Sequence, residues 1–137
     1  MARFRSAKVL LFDADDNVLV LRRSGTHPTS AFEADLPGGM IENDESHEDG
    51  LIREIFEETQ LIVESHHLKR VDLTGFPFTI MERTLYVVRL DRSRPAIEIS
   101  WEHDHYDWLP VESVRELEVP VQRQVDKVIK KGLHKAV

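Results

Sequence analysis

The sequence contains no cysteine and no long hydrophobic run. Without cysteine the chain has neither disulfides nor thiolate metal ligands, and it suits a reducing compartment. The apolar run near the start extends only from Val9 to Phe12, so the sequence shows neither a signal peptide nor a membrane span. We therefore expect a cytoplasmic protein with no membrane partner.

Positive charge is also scarce, with 18 Lys and Arg against 25 Asp and Glu, for a net charge of −7. A nucleic acid duplex is bound through a basic face, so this balance argues against such a partner. A phosphorylated small molecule stays compatible, because a bound cation can offset the repulsion locally. The length and the 41% hydrophobic content predict one globular domain over residues 1–137.

Acidic residues are concentrated in one short segment. Residues 45–58 hold six acids and a single basic residue, Arg53, so they contribute five of the seven net negative charges. Glu54, Glu57 and Glu58 are spaced i, i+3 and i+4, which places three carboxylates on one face of a helix. Repulsion between such pairs costs only about 0.2–0.5 kcal/mol each, so a solvated acidic face is one explanation and a cation site is the other.

The same segment carries the signals of a helix of about 13 residues. Ser46 followed by Asp49 resembles a capping box at its start. The predicted apolar stripe, with the three glutamates on the opposite, outward side, consists of Leu51, Ile52, Ile55 and Phe56.

Short β-type runs and two further helical patterns surround this helix. They predict strands at residues 7–12, 18–21, 61–63, 68–74, 83–90 and 106–109, a loop at 22–35, and helical segments at 111–117 and 121–133. Asp15–Asp16–Asn17 indicates a hairpin turn rather than a calcium loop, because Val18 occupies the position that needs glycine. Strands mixed with a few helices favour an α/β or α+β layered domain.

The acidic helix follows a double glycine, and the combination suits metal chemistry. Carboxylates are hard oxygen ligands for Mg²⁺ or Mn²⁺, which also bind substrate phosphates. Gly38 and Gly39 let the backbone approach such a site and offer a carbonyl. Arg53 can pair with Glu57 four residues on, and Glu45 can reach back toward the site. These features alone indicate a metal–phosphate site.

The segment resembles the signature of the Nudix hydrolases, G-x5-E-x7-R-E-U-x-E-E-x-G-U, where U is a bulky aliphatic residue. Eight of the nine specified positions match: Gly39, Glu45, Arg53, Glu54, Ile55, Glu57, Glu58 and Leu61. Gln60 stands where the family usually has the glycine that favours a left-handed helix end. Leu36–Pro37 before the glycines and Trp108–Leu109–Pro110 near the end extend the resemblance over most of the chain.

The resemblance implies a fold, a reaction and a cofactor. The fold would be a Nudix-type α/β/α sandwich with a mixed central β-sheet. The reaction would be Mg²⁺-dependent, or Mn²⁺-dependent, hydrolysis of a phosphoanhydride in a nucleoside diphosphate linked to another group. The alternatives are a Nudix-fold nucleotide-binding or regulatory module without catalysis, and a structural domain with an acidic helix. The oligomeric state is not determined by the sequence, which leaves a homodimer open.

The resemblance also implies roles for the residues of the signature. Glu54, Glu57 and Glu58 would hold the metal, with help from the Gly38 carbonyl. Arg53 would orient these glutamates, and Glu45 would be a further ligand or a support.

A further acid outside the signature often serves such enzymes as ligand or general base. Glu102, six residues before Trp108, is the first candidate for this acid, and Asp104 is the second.

Several residues outside the signature are candidates for substrate contact. Arg22 and Arg23 end a predicted strand and can grip phosphate or simply be exposed. His103 and His105 suit surface or substrate contacts better than a metal site. The aromatics Phe32, Phe76, Phe78 and Trp101 can stack on a base or belong to the core. Pro77 lies where ADP-ribose-type members often carry proline, but the substrate stays open among nucleotide sugars, dinucleoside polyphosphates, coenzyme A and nucleoside triphosphates.

Overall fold

The structure, a computed structural model, describes residues 4–75 and 80–136. The strands are β1 (Phe4–Phe12), β2 (Asn17–Arg23), β3 (Ala34–Asp35), β4 (Gly38–Ile41), β5 (Lys69–Thr74), β6 (Met81–Arg89) and β7 (His103–Pro110). The α-helices are α1 (His47–Thr59), α2 (Val111–Val114) and α3 (Gln122–Lys130), and 3-10 turns occur at Ser65–His67 and Leu133–Ala136.

The strands form one mixed sheet that splits beside β1. Along one edge β1 pairs in parallel with all of β6, and β5 continues the sheet from there. The other edge is shared, since residues 5–8 pair with β4 whereas Phe12 pairs with Val18 of β2. Strand β2 then turns away from β1 and pairs with β3 and β7. The divergence of β2 from β4 opens a cleft at the split.

Helices cover both faces of the sheet, and each face has its own apolar core. On one face Leu51 and Ile55 of α1 pack against β1 and β2. On the other face Val114 of α2 and Val125 and Val128 of α3 pack against the opposite side of the same strands. These two layers confirm the predicted α/β/α sandwich.

Helix α1 has the predicted length of 13 residues, and Ser46 caps it by accepting the Asp49 N–H at 3.1 Å. The predicted orientation of its side chains is partly wrong. Phe56 is 42% exposed, whereas Glu58 is only 2% exposed. Glu58 lies seven residues after Leu51 and three after Ile55, so it continues the buried stripe rather than the outward face. One acid of the signature is therefore inside the protein.

Several predicted segments also need correction, including the helical segment at 111–117, whose helix ends at Val114. Residues 61–63 form no strand, although Leu61 and Val63 are buried. The predicted loop at 22–35 contains the end of β2 and the short strand β3, because β2 continues to Arg23 and pairs with Asp35 and Ala34. Across residues 4–75 and 80–136, no helix has both the length and the apolar character needed to cross a membrane.

Candidate metal and phosphate site

The cleft at the split of the sheet is a cavity of about 390 Å³ between β1, β4 and α1. It is lined by acidic and basic side chains together: Glu54, Glu58 and Glu102 on one hand, and Lys8, Arg23 and His27 on the other. Carboxylates suit a divalent cation, and cationic side chains suit phosphate oxygens. The cavity therefore offers both halves of a metal–phosphate site.

The double glycine brings the backbone of β4 against β1 and α1. Gly38 has φ +124°, and a Cβ there would lie 2.1 Å from the carbonyl oxygen of Ala7. At Gly39 a Cβ would lie 3.0 Å from the carboxylate of Glu54. A side chain at position 38 would therefore displace the strand, whereas one at position 39 would require the Glu54 carboxylate to shift by a few tenths of an ångström.

Glu58 and Glu54 are the acids that the fold buries in this cavity. Glu58 Oε1 accepts the Gly38 N–H at 2.7 Å. Burial raises the pKa of Glu58 to about 8, and the charge of Lys8 only partly opposes this effect. Burial also raises the pKa of Glu54, with added repulsion from Glu57 and Glu102. Burial therefore disfavours the ionised form of both carboxylates.

Arg53 organises the outer side of the same group of acids. Its Nε and Nη2 donate to Glu45 at 2.8 and 2.9 Å, which is a two-point contact. Its Nη1 lies 3.3 Å from Glu54 and 3.2 Å from Glu57, whose side chain is 54% exposed. The hydrogen bond from Arg53 lowers the pKa of Glu45 to about 2. Arg53 thus contacts all three acids, whereas neither Glu45 nor Glu57 lines the cavity.

The two candidates for the additional acid occupy different places. Glu102 lines the cavity beside Glu54, and its carboxylate is 3.7 Å from His27. Asp104 lies outside the cavity and pairs with Arg22 at 2.7 Å, which lowers the pKa of Asp104. The geometry favours Glu102 as the acid that can meet a bound ligand.

The arginine pair Arg22–Arg23 is divided between two faces of β2. Consecutive strand residues point to opposite faces, and only Arg23 lines the cavity. Its Nε lies 3.3 Å from Asp35, and its Nη1 donates to the Thr29 carbonyl oxygen. Arg22 is half exposed and paired with Asp104. Only one arginine of the pair can therefore contact a ligand in the cavity.

The histidines of β7 also separate. Arg22 pairs with His105 and Arg23 with His103, which leaves Asp104 as an extra residue in a β-bulge. The bulge breaks the normal alternation, so the His103 side chain is fully buried whereas His105 is exposed. The expectation of a surface or substrate contact is therefore wrong for His103.

Three ionisable residues that line the cavity were not identified as candidates from the sequence: Lys8, His27 and Asp35. Lys8 interrupts the apolar strand β1, and Asp35 immediately precedes Leu36–Pro37–Gly38. The Lys8 ammonium is 3.0 Å from Asp35 Oδ1, and His103 Nε2 is 2.8 Å from Asp35 Oδ2. A charged residue inside an apolar strand was the one available signal, since it needs a buried partner.

The candidate aromatic residues are exposed where the structure describes them. Phe32 is 64% exposed and Trp101 is 66% exposed, so neither belongs to the core. Trp101 precedes the cavity residue Glu102, and its carbonyl oxygen accepts the Ser24 hydroxyl at 2.8 Å. Phe76, Pro77 and Phe78 lie outside the described residues.

An α/β/α sandwich whose acidic helix faces a strand that begins with two glycines is the architecture of the Nudix hydrolases. The family model of the NUDIX domain matches residues 2–130, and the chain belongs to this family. It is thus a Nudix pyrophosphohydrolase, an enzyme class that in general hydrolyses nucleoside diphosphates linked to another group and uses divalent metals. No curated protein sequence matches the chain significantly.

Solved structures share this fold. The MutT protein of Methanosarcina mazei Go1 is 26% identical, with 96% of both chains covered and a TM-score of 0.71. The NUDIX domain of Shewanella oneidensis NrtR, solved with ADP ribose, is 21% identical over 94% of this chain and 90% of its own, with a TM-score of 0.69.

A larger enzyme shares the fold over part of its length. The bifunctional NMN adenylyltransferase/ADP ribose pyrophosphatase of Francisella tularensis, solved with AMP and a Mn ion, is 20% identical. The match covers 95% of this chain and 42% of that enzyme, with a TM-score of 0.68.

Proposed function

We propose that this chain hydrolyses a phosphoanhydride bond in a nucleoside diphosphate linked to a further group, with Mg²⁺ or Mn²⁺ as its cofactor. The observation that carries the proposal is the meeting of Glu54, Glu58 and Glu102 with Arg23 in one cavity. This arrangement pairs oxygen ligands for a cation with a guanidinium for phosphate. Membership of the NUDIX family supports a pyrophosphate bond as the bond that is cleaved.

The residues present fit a divalent cation. Glu54 and Glu58 are partly or fully buried carboxylates with raised pKa values, so a positive charge between them would relieve an existing cost. We propose Glu58 and Glu54 as the main ligands, with Glu57 on the outer side. The Gly38 carbonyl accepts from Lys8 at 2.9 Å but keeps a second lone pair for a ligand contact. Glu45 would act through Arg53, because both of its oxygens contact that guanidinium.

The chain's own groups can perform the remaining tasks of hydrolysis. When bound, the cation would neutralise phosphate oxygens and lower the pKa of a coordinated water. Arg23 would bind a phosphate at the opposite wall of the cavity. Glu102 would accept a proton from the attacking water, since a general base must lie within reach of the proton that it removes. Arg53 would hold Glu54 and Glu57 in position.

A hydrolysis panel with product identification tests the proposal. The purified chain is assayed with Mg²⁺ and Mn²⁺ on ADP-ribose, other nucleotide sugars, dinucleoside polyphosphates, coenzyme A, and ordinary and oxidised nucleoside triphosphates. We expect cleavage of at least one pyrophosphate bond, and strong loss of it in Glu102→Gln. The matched control is Glu112→Gln, because the Glu112 side chain is 72% exposed and does not line the cavity.

Two outcomes would contradict the proposal, and they point to different alternatives. Nucleotide binding by calorimetry without turnover of any compound would favour a regulatory or binding module. Absence of binding to Mg²⁺, Mn²⁺ and nucleotides would leave a structural domain. The cytoplasmic location stays a prediction from the sequence. Whether the chain forms a homodimer stays open.

A further inference from the structure

The buried acid Glu58 belongs to a circuit of polar contacts that is closed except at one link. Lys8 Nζ donates to Asp35 Oδ1 at 3.0 Å and to the Gly38 carbonyl oxygen at 2.9 Å. The Gly38 N–H donates to Glu58 Oε1 at 2.7 Å, and Asp35 Oδ2 contacts His103 Nε2 at 2.8 Å. His103 Nδ1 faces Glu58 Oε2 at 3.7 Å and completes the circuit. We call these five residues the Lys8 ring.

The His103–Glu58 contact is the one open link of this ring. At 3.7 Å it exceeds the range of a hydrogen bond, and a shift of roughly 0.7 Å would close it. His103 Nδ1 is fully buried and has no hydrogen-bond partner among the described residues. Asp35 contacts Nε2 on the other side of the imidazole, and this contact fixes the direction in which Nδ1 points. Because Asp35 accepts from Nε2–H, Nδ1 can donate to the Glu58 carboxylate only when the imidazole carries a proton on both nitrogens, and a neutral imidazole would present a lone pair to it.

We propose that His103 is a positioning residue: anchored by Asp35, it orients the Glu58 carboxylate toward the divalent cation of the cavity. The inference rests on the proposed metal-dependent function. Gly38 restrains one oxygen of Glu58 and His103 limits the other, so the carboxylate has few orientations left. Outer partners of this kind fix metal ligands in advance and strengthen binding.

The cluster of His27, Asp35 and His103 does not suit a separate metal site as well. Their potential ligand atoms lie within 4.8 Å of one another. Asp35, however, already neutralises Lys8 and Arg23, at 3.0 and 3.3 Å. A divalent cation beside this carboxylate would be repelled by both of those charges. The histidine therefore supports a ligand better than it serves as one.

Two substitutions of His103 separate its two contacts. His103→Asn places an amide near the position of Nδ1 and keeps a polar group facing Glu58. His103→Gln places the amide near Nε2 and keeps only the contact with Asp35. Mn²⁺ dissociation constants are measured by electron paramagnetic resonance on the purified chain without nucleotide, together with thermal melting. His105→Asn is the control, since His105 lies on the same strand and is exposed.

We expect His103→Gln to weaken Mn²⁺ binding about tenfold or more, and His103→Asn to restore part of that loss. The control should bind as the wild type does. Equal Mn²⁺ affinity in wild type and His103→Gln would overturn the inference. Loss in both variants with retention in Glu58→Gln would also overturn it, because His103 would then be a ligand. If the wild type binds no Mn²⁺, the result contradicts the proposed metal-dependent function as well as the role of His103.

A measurement on the unaltered chain covers the case in which His103→Gln does not fold. Side-chain nitrogen resonances of the histidines are followed by NMR during addition of Mg²⁺. The His103 Nδ1 resonance should shift as Glu58 takes its metal-bound orientation, whereas His105 should not respond. A stationary His103 resonance at saturating Mg²⁺ would contradict the positioning role.

Discussion

Two glutamates of the signature, Glu45 and Glu58, lie in opposite electrostatic environments. Glu45 receives a two-point contact from Arg53, and its pKa falls to about 2. Glu58 is buried without a matching fixed cation, and its pKa rises to about 8. The first acid is already neutralised by the protein, whereas the second is not. A bound divalent cation is therefore stabilised more by the carboxylate of Glu58 than by that of Glu45. Glu45 is better suited to hold Arg53 in place.

Removing the charge of Glu58 should have the largest effect. In Glu58→Gln we expect at least about a 100-fold loss of hydrolysis, because a direct ligand should matter more than the outer partners that change affinity 10- to 100-fold. Steady-state kinetics in Mg²⁺ give the rate, and calorimetry gives the metal affinity. Glu112→Gln serves as the control. Hydrolysis within a few-fold of wild type in Glu58→Gln would remove Glu58 from the ligand set.

Replacing Arg53 should disturb the environment of Glu45, the acid that the protein already neutralises. Arg53→Lys retains the charge but loses the planar fork that contacts Glu45, Glu54 and Glu57 together. We expect activity to fall about 10- to 100-fold with the fold retained, as for other outer partners of a metal site. Circular dichroism checks the fold while kinetics measure the loss. Full activity in Arg53→Lys would show that charge alone is sufficient there.

Stability against pH should separate the two acids in the metal-free chain. The pKa of Glu58 is raised in the fold, so its contribution is fully present below its ordinary value of 4.5 and is lost as pH rises through about 8. The pKa of Glu45 is lowered, so its contribution is present above 4.5 and is lost as pH falls toward about 2. Melting temperatures measured with a chelator should decline at both ends.

Replacing each glutamate in turn shows which of them causes the decline in melting temperature at each end of the pH range. Glu58→Gln should flatten the alkaline side of the melting profile, and Glu45→Gln should flatten the acidic side. If either variant changed the opposite side instead, the assigned environments would be wrong.

Neutralising Glu45 should change catalysis less than either previous substitution. Glu45→Gln leaves an amide oxygen that can still accept from Arg53, so we expect less than about a tenfold loss of activity, below the usual range for outer partners of a metal site. The Mg²⁺ affinity should stay close to that of wild type. A loss of metal binding as large as that in Glu58→Gln would instead make Glu45 a direct ligand.

The sequence predicted the layers of the fold and the acidic helix because both depend on local periodicity and on the motif. The burial of Glu58 was not predicted because an acidic side chain is usually exposed, although its spacing from Leu51 and Ile55 places it on the buried stripe of α1. Lys8 and Asp35 were missed because their pairing joins residues 27 positions apart. The separation of His103 from His105 depends on a bulge, which is set by pairing with β2. Long-range pairing therefore determines the inner wall of the site.

A substitution at the C-terminal end of α1 should have the smallest effect, and it leaves both Glu45 and Glu58 unchanged. Gln60 replaces the usual glycine yet adopts the left-handed conformation, with φ 63° and its N–H bonded to Phe56. That conformation costs a non-glycine residue about 1 kcal/mol, so Gln60→Gly should raise the melting temperature by about 3 °C. Scanning calorimetry measures the shift, and Mg²⁺ affinity should stay unchanged. A change in metal affinity would show that the helix end, and not only burial, sets the environment of Glu58.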